Sequence, residues 1–378
     1  MAEKYPVGIQ SFSELVQKGM TYVDKTPLIH ELLFSETSGQ KNFFLSRPRR
    51  FGKSLLISTL RAILEGKKEL FQHYWIYDKI QWESHPIIHL SMIEIDFARK
   101  GLVPALQHRL REIAEEYEVV LKDDSLNDLI KALYKRYQKT VVILVDEYDK
   151  PIIHGLEQGD VALAEKHRDI MKDFYGGLKE LGDYLRFFFI TGVSKFARVS
   201  IFSDLNHLSD ITLDKRFATL CGYTHTELTT HFPQGIQRLA QNYGLTVEAC
   251  LTKIKDWYNG FSWDGEHFVY NPFSTLRLLE TLQFGNYWFE TGTPTFLVKQ
   301  LREKEIFQLT DIEIHTGLFQ TFDLHQLDTL SLLLQTGYFT LKRKLAEFIF
   351  EADFPNQEVR ESFHFLLTQL SKEKLREV

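Results

Sequence analysis

The stretch 41–54 constrains the fold more than any other part of the chain; it reads Lys-Asn-Phe-Phe-Leu-Ser-Arg-Pro-Arg-Arg-Phe-Gly-Lys-Ser. Its residues at 42–45 are typical of a buried strand, and a short loop follows them. The triplet Gly-Lys-Ser at 52–54 then begins a helical run that extends to residue 64. The order strand, loop, Gly-Lys-Ser and helix is the layout of the Walker A motif, a loop that binds nucleotide phosphates.

Each residue type in the triplet suits contact with phosphate. Gly52 lets the backbone approach an anion without an intervening side chain. Lys53 supplies a point charge for the β- and γ-phosphates, and the Ser54 hydroxyl is a ligand for Mg²⁺. The N–H groups at the start of the helix, through Leu55, are unpaired and point at the anion, with the positive end of the helix dipole behind them.

The loop departs from the full motif G-x-x-x-x-G-K-[ST] at its first position. Arg47 stands where the first glycine is expected, and Pro48 follows it. Together with Arg49 and Arg50, Arg47 makes the loop unusually basic, so these arginines contact phosphate directly or serve a surface for a partner. A Gly-Lys-Ser triplet alone also fits a basic surface turn that caps an ordinary helix.

A second segment, Val-Val-Ile-Leu-Val-Asp-Glu at 141–147, supports the nucleotide interpretation. Its five aliphatic residues predict a central parallel strand, and ligands of open α/β sheets bind beyond the carboxyl ends of such strands. There, Asp146 is a candidate to hold Mg²⁺ through water or Ser54, and Glu147 is a candidate to polarise the attacking water. Alone, the acidic pair fits a solvated turn, but its position after Gly-Lys-Ser matches a Walker B motif.

A third strand is predicted at 184–191, and polar side chains at its carboxyl end face the phosphate site if it lies between the other two strands. Thr191 and Ser194 are therefore candidates to position the attacking water or to sense the γ-phosphate. Basic residues further along fit a solvated loop or a charge-stabilising finger, acting within one chain or across an interface: Lys195, Arg198 and Arg216.

Composition and charge narrow the class of protein. The 378-residue chain has a formal net charge of -6, which implies no general attraction to nucleic acid. Its two cysteines, Cys221 and Cys250, form neither a disulfide framework nor a metal cluster, which fits a reducing, cytoplasmic setting. The N-terminus does not look like a signal peptide and no apolar stretch reaches membrane-spanning length, so we expect no membrane contact.

The length of the chain allows two or three domains, and strand signals become sparse after residue 215. We expect an N-terminal cap at 1–17 and an α/β domain at 18–215, with the three-layer parallel sheet of a P-loop NTPase. A mostly helical C-terminal domain at 216–378 is expected to act as a lid and relay. Asp24 and Lys25 lead toward the first strand, and they either approach the base or ribose of a nucleotide or lie in a surface turn.

Several longer motifs extend over nearly the whole chain: Tyr-Val-Asp-Lys-Thr at 22–26, Arg-Pro-Arg-Arg-Phe-Gly-Lys-Ser at 47–54, Leu-Val-Asp-Glu-Tyr-Asp-Lys-Pro at 144–151, Thr-Gly-Val-Ser-Lys-Phe at 191–196, Trp-Tyr-Asn-Gly-Phe at 257–261, Tyr-Asn-Pro-Phe-Ser at 270–274, Gln-Thr-Gly-Tyr at 335–338 and Phe-Pro-Asn-Gln-Glu-Val-Arg at 354–360. In these motifs the chain resembles the bacterial AAA-ATPase-like family, whose P-loop domain is commonly followed by a PD-(D/E)XK nuclease-like domain. The resemblance implies that the nucleotide is ATP and that Arg47 is the family's own form of the loop. Because residues 371–378 offer no Asp…(Glu/Asp)-x-Lys pattern, we expect no nuclease activity from this chain by itself.

Three functions fit these observations. The favoured one is an ATPase that uses Mg-ATP to drive a conformational change. The second is a nucleotide-dependent switch or interaction module with little or no turnover. The third is a degenerate domain whose Arg-Pro loop binds no nucleotide. The motifs leave open the client, which is a protein or a nucleic acid, and the oligomeric state.

Overall fold

A five-stranded sheet forms the centre of the fold in the computed structural model, which describes residues 3–35, 39–195, 208–288, 312–319 and 328–374. The strands are β1 (Asn42–Ser46), β2 (Ile87–Ser91), β3 (Val141–Asp146), β4 (Leu185–Gly192) and β5 (Ser209–Asp210). They lie in the order β2-β3-β4-β1-β5, and each neighbouring pair is parallel. The expected α/β fold with a parallel sheet is confirmed.

Helices connect these strands, as parallel neighbours require. They are α1 (Phe12–Gln17), α2 (Thr26–Phe34), α3 (Lys53–Leu64), α4 (Phe97–Lys100), α5 (Leu102–Glu116), α6 (Leu126–Tyr137), α7 (Lys150–Glu157) and α8 (Val161–Gly176), with short 3-10 turns at Lys68–Phe71, Trp75–Asp78 and Gly177–Tyr184. Helix α6 shows why they form: its buried leucine and isoleucine residues recur at helical spacing, and the Ser125 hydroxyl accepts a hydrogen bond from the Asp128 N–H at 3.1 Å.

The register of the sheet brings the predicted site strands together. Strand β4 lies between β1 and β3, pairing Leu45 with Thr191 on one side and Val145 with Ile190 on the other. The condition for Thr191 to face the same edge as Asp146 is therefore met. Every residue of β3 is buried, which confirms the prediction of a central strand covered on both faces.

Local residues explain three element boundaries. Strand β2 ends at Ser91, because the Ser91 carbonyl accepts N–H bonds from the following residues and closes a turn there. Pro151 lies in the first turn of α7, where its missing N–H costs nothing. Pro233 separates α9 from α10, because it begins the second of these two helices.

The chain beyond the parallel sheet begins with a helical bundle, after a 3-10 turn at Lys215–Phe217: α9 (His225–His231), α10 (Pro233–Asn242), α11 (Val247–Tyr258) and α12 (Pro272–Thr281). These helices share an apolar core that includes Leu228, Leu239 and Ile254. The N-terminal segment is fastened to this bundle, because the Glu3 carboxylate accepts hydrogen bonds from the N–H groups of Gln234 and Gly235 at 2.6 and 2.7 Å.

A small antiparallel sheet follows the helical bundle. Its strands β6 (Ile312–His315), β7 (Thr340–Ala346) and β8 (Ile349–Asp353) lie in the order β6-β8-β7. A 3-10 turn at Thr316–Phe319 and helix α13 (Thr329–Thr336) precede β7, and α14 (Gln357–Lys374) follows β8. Seven of the eight residues of α13 are buried, because the helix packs inward toward the parallel sheet and its loops.

Two further features concern the setting of the protein. Cys221 and Cys250 are both buried, free thiols. Across the residues that the structure describes, no helix has both the length and the apolar composition needed to cross a membrane.

Candidate functional site

The loop between β1 and α3 borders a cavity of about 410 Å³ at the carboxyl end of the sheet. Gly52, the residue before α3, has a φ of +86°, which a side chain would disfavour. A Cβ atom at this position would meet nothing within 4 Å, so the glycine leaves open space above the helix N-terminus. The backbone is thus shaped to admit an anion beside the first N–H groups of α3.

Lys53 lies beneath this loop. Its side chain is buried, and Nζ donates hydrogen bonds to the carbonyl oxygens of Arg47 and Pro48, each at 3.0 Å. Both acceptors are neutral, and none of the ion pairs found among the described residues includes Lys53. Lys53 and Ser54 both line the cavity.

Asp146 provides the clearest indication of a metal site. Burial raises the pKa of its carboxyl, while a hydrogen bond with the Ser54 side chain and the charge of Lys53 act in the opposite direction. Within the described residues, its buried Oδ1 has no hydrogen-bond partner. A buried carboxylate oxygen without a partner is costly, and a divalent cation held together with the Ser54 hydroxyl would satisfy it.

Thr191 shares this property. It lies one register step beyond the pair Val145 and Ile190, so it is opposite Asp146 across β3 and β4. Its buried Oγ1 is also without a partner among the described residues. The hydroxyl therefore remains available to a ligand or a water molecule at this edge of the sheet.

Glu147 lines the cavity immediately after Asp146. Its φ of +51° lies in the left-handed region, and Arg50, on the facing loop, has a φ of +68°. Such backbone in a non-glycine residue costs on the order of 1–3 kcal/mol and persists only where the surroundings enforce it. Two such residues border one cavity, which is typical of a functional site.

Ser194 is held differently from Thr191. Its Oγ and N–H donate to the buried Asp149 carboxylate at 2.6 and 2.7 Å, and the Val193 N–H donates to the same group at 3.2 Å. Burial raises the pKa of Asp149, and the Ser194 bonds lower it. Asp149 therefore fixes the turn after β4, and the Ser194 hydroxyl is already engaged.

Arg47 does not line the cavity. Its guanidinium is fully buried and donates to the carbonyl oxygens of Ser46 and Thr212 at 2.9 Å and of Phe217 at 3.2 Å. It also lies 3.9 Å from the ring centroid of Trp263. Desolvation lowers its pKa to about 10. The arginine in the place of the first glycine thus anchors the loop to later parts of the chain.

The cavity receives positive charge from three other residues, Arg49, Arg50 and Lys150. The Arg50 guanidinium lies over the ring of Phe273, 4.8 Å from its centroid. Arg49 and Lys150 both approach the carboxylate of Glu157. Sequence reasoning missed Lys150 as a site residue.

The remaining predicted cations are engaged elsewhere or lie outside the described residues. Lys195 is buried and pairs with Asp210 at 2.8 Å. Arg216 pairs with Asp214 at 2.6 Å on the surface. Lys25 pairs with Glu227 at 2.7 Å, so its ammonium joins the N-terminal part to α9. Arg198 lies outside the described residues.

The outer side of the phosphate loop packs on the C-terminal part of the chain. The ring of Phe51 meets those of Phe261 and Trp263 edge-on, at centroid distances of 4.8 and 5.5 Å. The Arg49 carbonyl accepts a hydrogen bond from the Trp288 indole at 3.3 Å. A Cβ on Gly337 would lie 2.8 Å from the ring of Pro48. A movement of this loop would therefore alter its contacts with the C-terminal part.

The rest of the cavity lining is largely apolar. It combines residues of the N-terminal segment, α3 and the helical bundle: Pro6, Ile9, Leu55, Tyr223, Pro272, Phe273 and Leu276. A smaller apolar pocket of about 60 Å³ adjoins it through Leu55 and Tyr223. A cavity lined by both charged and apolar residues offers the two environments that the triphosphate and the base of a nucleotide require.

Two comparisons relate the chain to known proteins. The family model described as Predicted AAA-ATPase matches residues 6–202, which include the loop between β1 and α3 and the strands β3 and β4. A protein of Azotobacter chroococcum mcd 1, described as an uncharacterized protein in the vnfD 5′ region, is 35% identical over 382 residues. The alignment covers 96% of this chain and 69% of that protein.

Proposed function

Because the chain belongs to the predicted AAA-ATPase family, we propose that it binds Mg-ATP in the 410 Å³ cavity and hydrolyses it to drive a conformational change. One observation carries most of this proposal. The buried Asp146 Oδ1 lacks a partner within the described residues, beside Ser54 and below the open position at Gly52. A structural domain without a ligand gains nothing from that arrangement.

The residues divide into three roles. Lys53, the N–H groups at the start of α3 through Leu55, and Arg50 bind the phosphates of ATP. Arg49 acts on the γ-phosphate during its transfer, and Arg47 supports the loop from behind. Ser54 and Asp146 would hold Mg²⁺, which would neutralise charge on the β- and γ-phosphates at this position. The apolar part of the cavity lining takes the base.

The reaction we propose is attack of water on the γ-phosphorus of ATP. A new bond forms from the water oxygen to phosphorus, and the bond from phosphorus to the oxygen shared with the β-phosphate breaks. The electron pair of that bond leaves with ADP. The Glu147 carboxylate accepts the proton of the water and passes it to the phosphate product, and the Thr191 hydroxyl orients the water.

The conformational step rests on contacts of the loop. Release of phosphate alters the loop between β1 and α3, and the rings of Phe261 and Trp263, the Trp288 indole and Gly337 all contact it from the C-terminal part. We propose that β6 to β8 and α13 move with the loop as a relay. Packed interfaces of this kind switch between discrete arrangements and do not deform continuously.

A switch with slow turnover is the second candidate, and one observation favours it. The Ser194 hydroxyl donates to Asp149, so only Thr191 of the two predicted water-positioning residues offers a hydroxyl without a partner in the described part of the chain. Slow hydrolysis with tight binding would follow. We also propose a cytoplasmic setting for the protein.

Calorimetric titration with ATP and Mg²⁺ tests binding. Wild type is expected to bind with a dissociation constant in the micromolar range, and Lys53→Ala to weaken binding about 100-fold through loss of a charged donor. Lys131→Ala, which removes an exposed lysine on α6, is the matched control and should bind like wild type. No heat from wild type at millimolar ATP would refute both candidates.

Phosphate release then separates the two candidates. Glu147→Gln should bind ATP like wild type while turnover falls by about 100-fold or more, the contribution expected of a general base. Wild type that binds ATP tightly but releases no phosphate above the Glu147→Gln background would establish the switch.

A further inference from the structure

We propose that Arg49 and Lys150 supply the positive charge that stabilises the transferring phosphoryl group, so that turnover needs no cation from a neighbouring subunit. This inference rests on the proposed function and deepens it. It assigns a role within one chain that the sequence left open between Lys195, Arg198 and Arg216. Lys150 acquires a role that its sequence position alone did not suggest.

Position is the first argument. Arg49 is in the phosphate loop and Lys150 is in the first turn of α7, three residues beyond Glu147, and both side chains line the cavity. They approach it from different elements, the loop after β1 and the helix after β3. Two cations neutralise charge on the peripheral oxygens of a γ-phosphate better than one.

The way these cations are stored is the second argument. Arg49 and Lys150 share one carboxylate, that of Glu157 at the end of α7, at 3.9 and 3.8 Å. Those distances exceed the 2.7–2.9 Å of a strong charge-assisted hydrogen bond, so the pairs are loose. The side chains are 25%, 31% and 25% exposed in the order Arg49, Lys150, Glu157, which leaves room to reorient. Glu157 therefore keeps both cations at the cavity without holding them tightly.

Elimination is the third argument. Several basic residues near the phosphate loop or on the two neighbouring strands are committed to other partners. The guanidinium of Arg47 is buried on three carbonyl oxygens, and Lys195 is paired with Asp210. Arg216, 52% exposed, pairs with Asp214 and does not line the cavity. Arg50 also lines the cavity, but its guanidinium lies over the ring of Phe273. Among the described residues, Arg49 and Lys150 are the cavity cations that share one loosely held carboxylate.

In the reaction, the two cations take no proton and form no covalent bond. Negative charge moves toward the oxygens of the transferring group as the bond to ADP breaks and the bond to water forms. Arg49 and Lys150 leave Glu157 and donate N–H bonds to those oxygens. After the phosphate departs, Glu157 recovers both cations.

The experiment measures turnover and the binding of a transition-state mimic in parallel. Arg49→Ala and Lys150→Ala should each lower kcat about 100-fold, while the dissociation constant for ATP changes by about threefold or less. Calorimetry with ADP, Mg²⁺ and aluminium fluoride should show a comparable loss of affinity in both variants, with ADP alone binding normally. Lys150→Arg keeps the charge and should recover most of the affinity, and Lys166→Ala, an exposed lysine of α8, is the control.

Each outcome supports or overturns the role of Arg49 and Lys150. Variants that bind the transition-state mimic as tightly as wild type overturn this inference while leaving the proposed function intact. Binding of the mimic can be measured even if wild-type turnover is slow. Wild type whose turnover per chain falls on dilution also overturns it, because that result requires a residue from a second chain. Wild type that binds no ATP removes the proposed function and the inference together.

Discussion

Replacing Arg47 by methionine distinguishes a loop anchor from a phosphate contact. Methionine keeps the length and the apolar part of the side chain but has no charge and no donors. The structure places the guanidinium on three carbonyl oxygens and on the face of Trp263. If Arg47 instead contacted phosphate, as the sequence alone suggested, the same variant would lose ATP affinity and keep its stability.

The magnitude follows from the contacts. Hydrogen bonds from a charged donor each stabilise by about 1.5–3 kcal/mol, and a desolvated cation over an aromatic ring adds about 1–2 kcal/mol. Desolvation of the guanidinium, seen as the drop of its pKa to about 10, offsets about 3 kcal/mol of this gain. Near the lower end of these ranges, the gains minus the desolvation cost leave a net loss of about 3–5 kcal/mol. We therefore expect Arg47→Met to lower the free energy of unfolding by that amount.

Urea denaturation followed by tryptophan fluorescence measures the loss, and calorimetry with ATP measures binding on the folded variant. Arg49→Met is the matched control, because it changes a cavity-facing arginine of the same loop and should cost less than about 1 kcal/mol of stability. Unchanged stability of Arg47→Met together with a large loss of ATP affinity would refute the anchoring role and restore the phosphate contact.

Three further perturbations test other parts of the structure. Burial raises the pKa of Glu358 from 4.5 to about 8, so between these pH values the folded protein holds a proton that the unfolded chain releases. The contribution of Glu358 to the free energy of unfolding should therefore fall by about 1.4 kcal/mol per pH unit as the pH rises between those values. The difference in unfolding free energy between wild type and Glu358→Gln should follow this slope, and a difference that does not change with pH contradicts it. Gly337→Ala should lower both stability and ATP affinity, because the added Cβ would press on Pro48. The control Gly244→Ala, with a similar positive φ and open surroundings, should cost only about 1 kcal/mol of stability and leave ATP binding unchanged. If the two variants have equal effects in denaturation and in calorimetry, the coupling between Gly337 and the loop is disproved. Lys25→Ala should lower the free energy of unfolding by about 2–3 kcal/mol, because it breaks a largely buried ion pair with the Glu227 carboxylate. The affinity for ATP should not change. Weaker ATP binding with unchanged stability would instead place Lys25 at the nucleotide.

Much of the α/β part could be predicted because its signals are local. The apolar runs of β1, β3 and β4 lie within one or two residues of where they were expected. Short strands gave weaker signals. Strands β5, β6 and β8 contain two to five residues each, and such lengths are too short for a period to be read reliably.

The candidate site likewise contains residues that the sequence could predict and residues that it could not. A short motif specifies both the chemistry and the place at the end of a strand of four candidates: Lys53, Ser54, Asp146 and Glu147. Lys150 and its partner Glu157 were missed because nothing in the local pattern states which helix face borders a cavity. The role of Ser194 also depended on Asp149, 45 positions earlier in the chain, whose carboxylate takes up its hydroxyl.

The sequence by itself determined that this chain forms a parallel α/β sheet with a Gly-Lys-Ser loop and an Asp-Glu strand end, because hydrophobic period and backbone conformation act over a few residues. Only the tertiary structure decided what the flanking charges do. The partners of Arg47 lie 165 and 170 residues further along the chain, at Thr212 and Phe217, and no local pattern encodes such a distance. The desolvation that drives a guanidinium to find carbonyl oxygens exists only once the core has closed around it.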